Sequence, residues 1–157
     1  MTESTQRRLA GAVVGLGLGM MSSDLRWAWN HSPYDQGAGW IALAWILLIW
    51  GMTKAKSVPR VSGLIVAVGL GLVSLVGDLN LARHLAVVVW GMSFAPNKKL
   101  AFAIGFSGMA WWPALGWGMA HLVASDFACL LRVGWLGLFG GLGMWWARTR
   151  TQPKVES

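Results

Sequence analysis

AGWIALAWILLIWGM (Ala38–Met52) and VSGLIVAVGLGLVSLVG (Val61–Gly77) are two long apolar runs joined by a polar and basic segment from Thr53 to Arg60. Neither apolar run holds a charged residue, and the segment between them holds Lys54, Lys56, Pro59 and Arg60. Runs of this kind recur at Leu9–Met21, Leu85–Ala95, Leu100–Trp112 and Ala114–Trp146. Pro33, Pro59, Pro96, Pro113 and Pro153 all fall outside the long runs. Proline removes a backbone donor and breaks helices, and unsatisfied backbone is costly in lipid, so the prolines punctuate a series of helices. A membrane crossing takes about 20 residues, within a range of roughly 17–25. Several of these runs reach that length only by recruiting flanking Trp, Arg or Ser.

Composition agrees with this pattern. Of 157 residues, 55% are hydrophobic and 12% charged, against about 25% charged in soluble domains. So little polarity cannot cover the surface of a small water-soluble domain. The chain is too apolar to be disordered, and its single Cys excludes an intramolecular disulfide scaffold. What remains is a polytopic membrane protein, in which helices are held by contact with one another in lipid.

The charge distribution orients it. With the N-terminus and its Arg7-Arg8 pair inside, Lys54, Lys56, Arg60, Lys98, Lys99, Arg148, Arg150 and Lys154 also fall inside. That places ten of the thirteen basic residues on one side and leaves Arg26, Arg83 and Arg132 outside with Asp24, Asp35, Asp78 and Asp126. This is the positive-inside bias. The net charge of +7 is therefore a topology signal and not a nucleic-acid surface. Both termini cytoplasmic requires an even number of crossings. The expectation is one all-α integral membrane domain over 1–157, with about six spans at 8–27, 37–52, 61–77, 82–95, 99–112 and 133–146.

Residues 114–132 then form an interfacial helix on the outer face. At 100° per residue, Ala114, Gly118, His121, Ser125, Ala128 and Arg132 share a small or polar face, and Met119, Val123, Phe127 and Leu130 lie opposite. The alternative is one long tilted span from about Leu122 to Trp146. Tryptophan supports the boundaries, because an indole with one N–H settles at the headgroup level. Trp27, Trp29, Trp40, Trp111, Trp112, Trp117 and Trp135 map to the outer side, Trp50, Trp90, Trp145 and Trp146 to the inner side, and Trp45 within a span. Gly11, Gly15 and Gly19 repeat every four residues in the first span, and Gly137 and Gly141 in the last. Such spacing lets helix backbones approach closely. Arg7-Arg8 and the following apolar run resemble a signal peptide, but no small-x-small cleavage site follows, so the segment is read as a retained anchor.

Few residues offer chemistry. His31, His84 and His121 map to the outer side, with Cys129 near His121. Their spacings match no compact metal motif, and neither a metal nor a cofactor is expected. Asp78 or Asn80 is read as the cap of the following helix, with Arg83 snorkelling or pairing with Asp78. A Cys129 nucleophile with His121 as base and Arg132 as electrostatic partner is one possibility. Eight residues apart on a single helix, however, His121 and Cys129 would sit about 12 Å apart along the axis, too far for a hydrogen bond.

Trp29-Asn30-His31-Ser32-Pro33-Tyr34-Asp35-Gln36-Gly37, with the span that follows, resembles the first outer loop of the exosortase/archaeosortase family. Asp35-Gln36 stands where the family has Ser-His. Phe106–Arg132 is similar to the middle of that family, and the resemblance covers about Arg26–Gly134. It implies a multi-pass plasma-membrane protein of a bacterium or archaeon. It also implies cysteine transpeptidase or protease activity on a C-terminal sorting signal, performed by a Cys, an Arg and a His. Ala128-Cys129-Leu130-Leu131-Arg132 stands against Ala-Cys-Ser-Gly-x-Arg without the Ser-Gly and one residue short, and most of the catalytic half is expected to be missing. The resulting expectation is a shortened, non-catalytic member that lies in the lipid bilayer and binds a membrane-protein partner or a sorting-signal helix, not nucleic acid. Alternatives are an active transpeptidase using Cys129, Arg132 and His121, or a cofactor-binding or scaffolding subunit of a membrane redox complex using His84 or His121.

Overall fold

Helices form where the apolar runs lie. The structure, a computed structural model, describes residues 2–53, 58–113, 115, 118 and 121–149. In chain order the helices are α1 (Glu3–Met21), α2 (Ser23–His31), α3 (Ala38–Thr53), α4 (Val61–Gly77), α5 (Asn80–Ser93), α6 (Lys98–Gly108), a 3₁₀ turn at Met109–Trp111, and α7 (Ser125–Thr149). No strand occurs among the described residues. Phe127–Thr149 of α7 is, among these residues, the one helix both long and apolar enough to cross a membrane, while α3 and α4 are apolar but shorter.

The neighbours of each helix fix its direction. Gly11 and Gly15 of α1 lie against Phe94 and Trp90, so α1 is antiparallel to the α5 end of the chain. The Arg60 N–H at the mouth of α4 donates to the Ser93 carbonyl (2.9 Å), which makes α4 and α5 an antiparallel hairpin. Leu48 meets Gly140 and Met52 meets Gly143, so α3 and α7 are parallel. Trp135 Nε1 donates to the Phe106 carbonyl (2.7 Å) and Ala103 lies against Gly143, so α6 is antiparallel to α7. Hence α1, α4 and α6 run one way and α3, α5 and α7 the other. One end of the bundle carries Arg8, Arg60, Lys98, Lys99 and Arg148, and the opposite end carries Asp35, Asp78, Arg83 and Arg132. Lys54, Lys56, Arg150 and Lys154 lie outside the described residues.

Four expectations about helix bounds, glycine packing and capping are corrected. The first helix does not run unbroken over 8–27. It stops at Ser22, whose Oγ donates to the Leu18 carbonyl (2.9 Å), a local bond that competes with the helical ladder. Residues 114–132 do not make one interfacial helix either. A turn covers His121 and Leu122, and α7 then runs from Ser125 through 132 without a break, close to the long-span alternative. Ala128 and Arg132, on the face expected to meet water, are buried, while Phe127 and Leu130 are exposed. Trp117 lies outside the described residues.

The third correction concerns glycine. Gly11 lies against Pro59 and Phe94 and Gly15 against Trp90, but a Cβ on Gly19, Gly137 or Gly141 would meet nothing within 4 Å. In α7 the close approaches belong to Gly140 and Gly143, because the inward stripe is Ala128, Arg132, Leu136, Gly140, Gly143 and Ala147, at helical spacing. The fourth concerns capping. Asp78 ends α4 in the left-handed region (φ 49) rather than starting α5, whose N-cap is Leu79 with no side-chain bond. Arg83 does pair with Asp78, at 3.7 Å.

The core lies between α3, α5, α6 and α7 and includes Ile41, Trp45, Ile49, Met52, Val88 and Ile104. Trp111 and Trp112, expected at a boundary, are buried in it, and Trp45 Nε1 donates to the Ile104 carbonyl (2.9 Å). Trp27, Trp40, Trp50 and Trp145 face outward.

Candidate functional site

The end of the bundle opposite the basic one is organised by one side chain. Arg132 sits two turns into α7 with 0% of its surface exposed. A lone buried guanidinium is costly unless its five donors are satisfied. Here Nε donates to the Tyr34 carbonyl (3.1 Å), and Nη1 donates to the carbonyls of Ala110 (2.7 Å) and Trp112 (3.1 Å). Nη2 donates to the Asp35 carboxylate, which completes a buried ion pair. One side chain thus fastens three segments: the α2–α3 turn, the 3₁₀ turn after α6, and α7.

Each segment is shaped to offer those acceptors. Ser32–Gly37 is a succession of turns, with the Asp35 N–H on the Ser32 carbonyl and the Ala38 N–H on the Asp35 carbonyl (3.0 Å each). Gly37 has φ +82, a conformation that only glycine adopts freely, and its carbonyl accepts the first helical bonds of α3, from Trp40 and Ile41. Pro113 has no N–H to offer the Ala110 carbonyl, which accepts from Arg132 instead, and the Trp112 carbonyl accepts from Arg132 as well as from the Leu115 N–H. Burial pushes the Asp35 carboxyl above its ordinary value, opposed by a hydrogen bond from Ser32 and by the Arg132 charge.

Cys129 lies one turn before Arg132, is exposed, and carries a free thiol. Its Sγ lies beside Gly37, 3.6 Å from where a Cβ would stand. His121 is exposed in the turn before α7, so the premise that it shares a helix with Cys129 does not hold. Cys129 and Arg132, three residues apart on α7, adjoin on the helix surface, with the thiol exposed and the guanidinium buried. His84 is buried on α5, with Trp111 edge-on at 6.0 Å and Trp112 at 6.3 Å. His31 Nδ1 donates to the Trp27 carbonyl of its own helix (2.8 Å), and its ring stacks on the Trp27 ring. Among the described residues, no group of three or more His, Cys, Asp and Glu side chains could hold a metal ion.

Sequence reasoning singled out Arg132 but missed its partner. Asp35 stood out only as a departure from the family-like pattern at Asp35-Gln36. An acidic residue in a loop followed at once by an apolar run was the available signal. Compared against protein families, curated proteins and solved structures, the chain matches none.

Proposed function

We propose that this chain is a six-span, exosortase-like protein of a bacterial or archaeal plasma membrane that binds a partner helix or a C-terminal sorting helix and performs no catalysis. The observation that carries the non-catalytic reading is the commitment of Arg132. A guanidinium that serves a reacting carbonyl must reach it, and this one is buried with its donors on Asp35 and three backbone carbonyls. The membrane reading is supported by the alternating helix directions, by the collection of basic residues at one end, and by the apolar exterior. Leu9, Val13, Leu16 and Met20 on α1, and Ile65, Leu72 and Val76 on α4, are exposed, a surface that suits lipid and not water.

The second reading, a cysteine transpeptidase, draws on the exposed Cys129 thiol beside the α2–α3 turn. One experiment separates them. The full chain is co-expressed with a reporter that ends in a sorting motif, an apolar helix and a basic tail. The binding reading expects the reporter to co-purify unprocessed, equally with wild type and Cys129→Ala. Processing by wild type that Cys129→Ala abolishes overturns it in favour of the transpeptidase. A fusion reporter placed after Lys154 is expected in the cytoplasm, and its appearance outside overturns the six-span topology.

A further inference from the structure

A groove of about 420 Å³ runs along the outside of the bundle between α5 and α6. Its walls are apolar: Val88 and Met92 from α5, and Phe102, Phe106 and Met109 along α6 and the turn after it, with Lys98 the one charged residue, at one end. Phe102 and Phe106 are more than a third exposed, so the groove opens to the surroundings of the bundle. From Lys98 to Met109 it climbs roughly 16 Å at about 1.5 Å per residue. That matches one leaflet of a hydrocarbon core about 30 Å thick, the reach of a single acyl chain.

The Lys98 end is basic. Lys98 and Lys99 occupy the first turn of α6, where the helix dipole is already positive, and basic side chains there gain nothing from the helix itself. Asn97 accepts from the Leu100 N–H through its side chain (2.8 Å) and from the Ala101 N–H through its carbonyl (2.9 Å). The Lys98 and Lys99 N–H groups are left without an acceptor within the helix. Arg60 reaches the same end, with Nη2 donating to the Pro96 carbonyl (2.9 Å). An apolar slot one leaflet deep, closed by Lys98 at the basic end of the bundle, has the chemistry of an anionic lipid site. A sorting helix with a basic tail would meet like charge here.

We infer that this groove holds one acyl chain of an anionic phospholipid, whose phosphate rests against Lys98 and the first turn of α6. The inference rests on the membrane reading above. The test uses the full chain, purified in detergent and titrated with phosphatidylglycerol or with phosphatidylcholine of the same chains, with bound lipid counted by native mass spectrometry. Phosphatidylglycerol should bind on the order of tenfold more tightly, and the preference should shrink as salt rises. Lys98→Gln should remove most of the preference, and Lys99→Gln, whose ammonium lies over the Trp146 ring, should leave most of it. Ala101→Phe, which fills the groove, should remove both lipids while the thermal midpoint is kept. Equal binding of the two lipids by wild type, an unchanged preference in Lys98→Gln, or retention of both lipids by Ala101→Phe overturns the site. So does a stoichiometric polypeptide that leaves the groove in Ala101→Phe when no lipid is retained. An alkaline carbonate wash of membranes separates the two failures. Release of the chain overturns the membrane reading and the site with it, whereas retention without lipid preference overturns the site alone.

Discussion

The two ends of α7 are held by opposite chemistry. Near its start, Arg132 reaches across to Asp35 and to three backbone carbonyls, a polar knot with no exposed surface of its own. Three turns later, Gly140 and Gly143 admit Leu48 and Met52 against the helix backbone with no polar atom involved, as Gly15 of α1 admits the Trp90 ring. The knot draws its strength from charge removed from water, so losing one partner strands the other. The glycine seams draw theirs from close approach and dispersion, so losses there are graded by volume. Substitutions at the knot should therefore be few and severe in effect, and those along the seams milder and dependent on side-chain size.

The largest expected effect is Arg132→Met. It removes the cation and leaves Asp35 and three carbonyls buried without it, at a cost of roughly 3–5 kcal/mol, read as a fall in thermal or chemical midpoint of the full chain in detergent. Its pH dependence tests the cause. Burial already raises the Asp35 carboxyl, and without Arg132 nothing but Ser32 opposes that rise. A carboxyl whose folded pKa exceeds its unfolded one binds its proton more readily in the fold. Its stability contribution is present at low pH and lost as pH rises through the folded value. The deficit of Arg132→Met should thus shrink on acidification relative to wild type. A deficit independent of pH would mean that the loss comes from the carbonyls and not from the stranded carboxylate.

The seams should respond next. A Cβ on Gly15 would stand 2.5 Å from Trp90 Cζ2, so Gly15→Leu should cost about 1–3 kcal/mol by overpacking. Gly15→Ala should cost less, because the indole can shift. A loss from Gly15→Leu equal to that of Arg132→Met would erase the contrast between graded and all-or-none contacts. Gly37→Ala probes the knot through its backbone. The left-handed conformation at φ +82 opposes a Cβ by about 1–2 kcal/mol, whereas the nearest atom, Cys129 Sγ at 3.6 Å, is at ordinary contact distance. The loss should therefore be smaller than at Arg132, and unchanged when Cys129 is Ala.

How much of this was legible in the sequence follows from the same contrast. Helix positions are written in local periodicity and in proline placement, and α3 (Ala38–Thr53) and α4 (Val61–Gly77) cover two of the apolar runs. The inward face of α7 was misread because Gly137 and Gly141 share the spacing of a packing motif, and spacing alone carries no azimuth. The true stripe is set by Arg132, whose partner lies 97 residues away. The break at Ser22 was equally hidden, since it depends on a hydroxyl choosing the Leu18 carbonyl over water. Of the knot, only Arg132 was visible, because Tyr34, Ala110 and Trp112 contribute backbone carbonyls that no side-chain pattern reports.

The smallest expected effect also tests the functional reading. Gly137→Leu and Gly141→Leu place side chains where nothing lies within 4 Å, on a face shared with exposed Leu130 and Leu138. For the isolated chain the midpoint should move by no more than about 0.5 kcal/mol, if anything upward, because glycine in a helix interior costs about 1 kcal/mol relative to alanine. A partner helix bound through this face would respond quite differently, since two backbones that approach over glycine cannot do so over leucine. The paired measurement is therefore stability in detergent beside co-purification of the sorting-signal reporter. An unchanged midpoint with lost co-purification places the partner on the outer face of α7. Unchanged values for both move it to another surface of the bundle, and a large loss of stability with no partner present would mean that this face already packs against a second copy of the chain.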